Sequence, residues 1–144
     1  MSFTDFDNRV SINTFGEVAF VGTLPDGNKS IVVASPGNVI VRTVTSPGGF
    51  VDFGNGSDAT VLINDNGDVA FIAFNAGGGH SLYVGNDPVN DRVVSTGDII
   101  DGRQVVSLQL GGWNSAGQLT FLATLFNGTF NEVAAILATP NFAP

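Results

Sequence analysis

The 144-residue chain has no cysteine. That excludes disulfides, thiolate metal sites and a cysteine nucleophile. Positive charge is scarce as well. Arg9, Lys29, Arg42, Arg92 and Arg103 are scattered among 13 acidic residues, for a formal net charge of −8. Nucleic acids and anionic membranes are held by clustered cations, so neither is an expected partner. No apolar run reaches the roughly 18 residues that a membrane-spanning helix needs, and no window keeps a helical hydrophobic period. The opening Met1-Ser2-Phe3-Thr4-Asp5 lacks the basic and apolar regions of an export signal, so the chain reads as a mature form or an excised segment. What it does have is 43% hydrophobic residues, 12 Phe and 19 Gly. That balance opposes disorder and can fill a core.

The hydrophobic residues recur with a long period. Asn13-Thr14-Phe15-Gly16-Glu17-Val18-Ala19-Phe20 is answered by Asn64-Asp65-Asn66-Gly67-Asp68-Val69-Ala70-Phe71. Both are answered by Asn114-Ser115-Ala116-Gly117-Gln118-Leu119-Thr120-Phe121, at spacings of 51 and 50 residues. Such a period marks a repeat architecture. Asn-x-x-Gly is a tight turn, because Gly takes positive φ freely and Asn bonds its own backbone two residues on. The β-branched and aromatic run after it reads as a strand, and a Gly-containing turn with a second apolar run completes a hairpin. Val39–Val44, Phe50–Phe53 or Thr60–Ile63, Arg92–Ser95 and Gln104–Leu110 supply the remaining strands, about eleven in all. Runs such as Val18-Ala19-Phe20-Val21 are apolar on both faces, as in strands covered on both sides.

The chain is therefore expected to be one all-β repeat domain, 1–144. It divides into a partial strand unit 1–12, unit one 13–63, unit two 64–113 and a partial unit three 114–144. Antiparallel sheets stacked like β-propeller blades explain the period; a β-sandwich is the alternative. One chain is too short to close a ring of about four to eight blades. Its first strand is expected to complete the last hairpin of another copy.

The turns Asn13/Gly16/Ala19/Phe20, Asn64/Gly67/Ala70/Phe71 and Asn114/Gly117/Phe121 resemble the tandem-repeat proteins named for the motif Asn-x-x-Gly-x-x-Ala-Phe, with Thr120 departing in the third copy. The resemblance implies exported bacterial proteins with propeller-like repeats, often surface-anchored through a C-terminal signal containing Pro-Glu-Pro, and without established enzymatic activity. The tail Ala138–Pro144 lacks that signal.

Candidate sites are few. Asp65, Asn66 and Asp68 alternate oxygen donors around Gly67 in a way that suits Ca²⁺, but the bidentate Glu of a full calcium loop is missing, and turn chemistry is the default. Otherwise no cofactor is expected. His80, the one histidine, follows a glycine run in a turn. Asn28-Lys29-Ser30, Asn55-Gly56-Ser57 and Asn127-Gly128-Thr129 match the glycosylation acceptor pattern but are ordinary turn composition. Trp113 offers a face for stacking on a sugar. If propeller loops gather at one end, Asp98 and Asp101 would join it. No nucleophile–base arrangement is legible. The expected role is a non-enzymatic, extracellular or cell-surface structural protein whose partner is itself; carbohydrate binding is the alternative.

Overall fold

A computed structural model describes residues 1–53, 61–76 and 78–140. Among them there is no helix, and thirteen strands form three antiparallel sheets. The first sheet runs β1 (Asp5–Ile12), β2 (Val18–Thr23), β3 (Lys29–Ser35), β4 (Asn38–Val44). In the second, β5 (Phe50–Phe53) and β6 (Val61–Ile63) pair with successive parts of β7 (Val69–Asn75), followed by β8 (His80–Tyr83) and β9 (Arg92–Ser95). The third runs β10 (Ile99–Ile100), β11 (Arg103–Trp113), β12 (Leu119–Phe126), β13 (Asn131–Ala138).

Two expectations change. The strand expected to be given to another copy, β1, is already paired with β2 of its own sheet, from Asp5↔Thr23 to Ile12↔Val18. In addition, Phe50–Phe53 and the strand ending at Ile63 pair with β7 rather than with Val39–Val44. Each Asn-x-x-Gly turn lies inside a sheet, so the first sheet begins one strand ahead of its sequence unit and the second and third begin two strands ahead. The cause is the tight turn itself, which returns the chain beside the strand it has just left. Thr60, the Asn55-Gly56-Ser57 pattern and residues 141–144 of the tail lie outside the described residues.

The core lies in two seams. One holds Ala19, Val21, Ile31 and Val33 of the first sheet against Phe50, Phe53, Phe71 and Tyr83 of the second. The other holds Ala70, Ile72 and Leu82 against Val105, Leu108, Phe121 and Leu125 of the third. The alternation of a strand explains the division, since successive side chains of β7 leave on opposite faces and each meets a sheet. Phe50, Phe53, Phe71 and Tyr83 pack with ring centroids 4.8–5.8 Å apart, mostly edge to face, the arrangement favoured by the aromatic quadrupole. On the outward face of the first sheet, Phe3, Phe6 and Phe20 make a smaller aromatic group. Gly22 lies beneath it, where a Cβ would come within 2.7 Å of the Phe3 ring.

Candidate functional site: three asparagine turns around a cleft

The three motif turns share one set of bonds. The Oδ1 of Asn13 accepts from the backbone N–H of Phe15 (3.1 Å) and Glu17 (3.0 Å). The Oδ1 of Asn64 accepts from Asn66 and Asp68 (both 3.0 Å), and that of Asn114 from Ala116 (3.1 Å) and Gln118 (2.9 Å). Gly16, Gly67 and Gly117 sit at φ of 79°, 80° and 75° and donate their N–H to the carbonyl of the asparagine that opens the turn. The left-handed region is costly for a residue with a Cβ, which is why glycine stands in the fourth place.

With the oxygen used locally, the amide nitrogen is left to reach outward. Asn13 Nδ2 donates to the carbonyl of Asn64 (3.0 Å), and Asn64 Nδ2 donates to the carbonyl of Asn114 (3.1 Å). The turns are thus linked in series, each to the next. Further bonds run the same course: the Thr14 N–H to Asp65 Oδ1 (2.8 Å) and Asn66 Nδ2 to the carbonyl of Ser115 (2.9 Å). Trp113 Nε1 bonds back to the carbonyl of Asp68 (3.1 Å). Asn64 is buried (3% exposed), Asn13 is at 9%, and Asn114 is exposed.

A cleft of about 390 Å³ opens where the turns meet, lined by residues 12–14, 63–65 and 113–115. Its walls offer asparagine amides, the hydroxyls of Thr14 and Ser115, the Asp65 carboxylate, two isoleucines and the Trp113 indole. This donor set can hydrogen-bond and pack. Asp65, Asn66 and Asp68, read as calcium donors, here engage neighbouring turns: Asp65 accepts from Thr14, Asn66 donates to Ser115, and the Asp68 carbonyl accepts from Trp113. Among the described residues no three His, Cys, Asp or Glu side chains gather as a metal site.

The sugar-pocket grouping of Trp113 with Asp98 and Asp101 is not what the strands produce. Trp113 ends β11 and both aspartates precede its start, so the two ends are roughly 30 Å apart at about 3.3 Å per residue. Asp98 closes the turn after β9, accepting from the Ser95 N–H (2.9 Å) and pairing with Arg92 (3.4 Å). Asp101-Gly102 is a two-residue hairpin turn with φ of 51° and 74° between the paired Ile100 and Arg103, the Asp-Gly chemistry such a turn requires.

Two titrating groups lie elsewhere. His80 begins β8 beside Phe74, with its Nε2 buried and unpartnered, and desolvation lowers its pKa from 6.5. Burial disfavours the charged form of Lys29, but a hydrogen bond and charge from Asp52 (3.0 Å), helped by Asp7 and Asp5, outweigh it and raise the ammonium above its ordinary value.

A family model described as a family of unknown function (DUF7453) matches residues 1–142. The chain belongs to the DUF7453 family. No curated protein and no solved structure matches it. What sequence reasoning missed in this DUF7453 member is the turn-to-turn series. Its signal was present: aspartate would cap such a turn equally well, but only asparagine keeps an amide to donate across.

Proposed function

We propose that this chain is a non-enzymatic structural protein of the cell exterior whose copies associate through the end sheets of a propeller-like stack. The observation that carries the reading is the contrast in burial between the ends and the middle. The second sheet is apolar and covered on both faces, whereas the outward face of the first carries open apolar side chains and that of the third sets open apolar side chains among uncharged polar ones, with Val10, Ile12, Val133 and Leu137 each 61–71% exposed. Scattered surface hydrophobes are ordinary, but apolar residues aligned on one sheet face mark an interaction surface. Because β1 is held by its own sheet, a neighbour is met face to face rather than by exchange of a strand. The motif resemblance supports the extracellular placement and the propeller-like arrangement of sheets. Two copies would supply six sheets, within the range that closes a propeller. Multi-angle light scattering and native mass spectrometry between about 1 and 100 μM test the reading. A dimer or larger assembly is expected; a monomer throughout that range would overturn it.

A further inference from the structure

We infer that copies of this chain join head to tail: the outward face of the third sheet of one copy seats on the outward face of the first sheet of the next, and Asn114 Nδ2 donates to the Asn13 carbonyl across the joint. The inference rests on the self-association reading above and assigns it a polarity and a register.

The two seams inside the chain have a direction. Ala19 and Ala70 face the sheet that follows, whereas Phe71 and Phe121 face the sheet that precedes. By pairing, the position of Val33 opposite Ala19 is filled in the third sheet by Leu137 opposite Thr120. Val33 is 4% exposed under the second sheet; Leu137, with no further sheet over it among the described residues, is 61% exposed. At the other end, Val10 opposite Phe20 takes the place of Val61 opposite Phe71. Val61 is 1% exposed and Val10 is 67% exposed. So the third sheet's open face matches the surfaces that receive a following sheet, and the first sheet's open face matches the surfaces that receive a preceding one. Joining them repeats a seam the chain already makes twice.

The hydrogen bonds stop at the same two places. The carbonyls of Asn64 and Asn114 each accept twice, once from the glycine of their own turn and once from the preceding asparagine. The Asn13 carbonyl accepts only from Gly16 among the described residues. Asn13 Nδ2 also donates twice, to Glu17 Oε2 (2.6 Å) and to Asn64. Asn114 Nδ2 reaches only Gln118 Oε1 (3.0 Å) among the described residues, leaving one N–H with no further turn to meet among them. A donor at the last turn and an acceptor at the first fit one another and do not fit themselves.

Charge agrees with this pairing. The chain carries −8, yet no paired residue on either outward face is charged: the rows through Val10–Phe20–Val32 and Ile12–Val18–Ala34 are apolar, and those through Leu122–Ala135 and Thr120–Leu137 are neutral. Like-charge repulsion is thereby kept out of the joint. A contact of this kind uses two different patches, so it closes as a ring or continues as a fibre.

The test uses two variants that each block one face at a side chain already exposed in the single chain. Val10→Glu spoils the first sheet's face and Leu137→Glu the third's. The wild type is expected to assemble, each variant alone to be monomeric at about 100 μM, and an equimolar mixture to give a one-to-one heterodimer that grows no further. Asn114→Ala, which removes the rung together with the two cap bonds of its own exposed turn, is expected to weaken wild-type association about 5- to 10-fold, the effect of one hydrogen bond across the joint. If Val10→Glu or Leu137→Glu alone still dimerises, or the mixture stays monomeric, the head-to-tail polarity is wrong while self-association stands. If the wild type itself is monomeric, both fall.

Discussion

The middle sheet and the last sheet carry nearly the same motif strand and treat it differently. In β7, Val69, Ala70, Phe71, Ile72 and Ala73 are all buried, at 0–4% exposure. In β12, Leu119, Phe121, Ala123 and Leu125 are buried while Thr120 is exposed and Leu122 stands 40% open. Backbone and turn are alike in the two, so neighbours decide which side chains leave water. The asparagines teach the same lesson. Asn64 and Asn114 cap their own turns with the same pair of bonds, yet only Asn64 has a turn on either side.

The comparison can be broken most forcefully at the aromatic rings. Phe71→Ala empties a site enclosed by Phe50, Phe53 and Tyr83 and should cost about 3–5 kcal/mol, the usual range for a large core truncation. Phe20→Ala, the same motif position on an open face, should cost about 1–2 kcal/mol, from the smaller area removed from contact. Urea unfolding of dilute protein by circular dichroism measures both, and equal losses would contradict the contrast.

A smaller effect is expected at the asparagines. Asn64→Ala leaves the N–H groups of Asn66 and Asp68 without that acceptor and strips a bond from the Asn114 carbonyl, an expected loss of about 2–3 kcal/mol. Asn114→Ala, exposed and at the end of the series, should cost the isolated chain less than about 1 kcal/mol. The same urea curves separate the two.

The smallest effect sharpens the comparison by pH. Desolvation lowers the pKa of His80 in the folded protein, so the unfolded chain takes up its proton first. Stability should therefore decline as pH falls below about 6.5 and flatten once the folded state is protonated too. His80→Gln should remove this component of the slope, measured as the difference between the urea midpoints of the two proteins from pH 7 to pH 5. An identical slope in both would exclude the histidine as its source.

Much of this was legible beforehand, for local reasons. Asn-x-x-Gly has one cheap backbone solution, so the three turns and the strands they join follow from Asn13/Gly16, Asn64/Gly67 and Asn114/Gly117. Doubly apolar Val69–Ile72 announced a strand covered on both sides. Partnering was harder, because it is set by contacts between residues distant in sequence. Phe50–Phe53 is as good a strand beside β4 as beside β7, and only the packing of Phe50 on Tyr83 and Phe71 places it. Loops at one end of a propeller would gather Asp98 and Asp101 beside Trp113, but the eleven-residue length of β11 separates them. The links between turns were hidden because each side chain had a sufficient local task.

The position of Trp113 gives the chain an internal optical gauge. It is the only indole in the molecule, and it spans the junction between the second and third sheets with its Nε1 on the carbonyl of Asp68. Its emission wavelength therefore reports whether that junction is shut. Partial opening of the stack from its C-terminal side would register as a red shift while the far-ultraviolet signal of the strands is still intact.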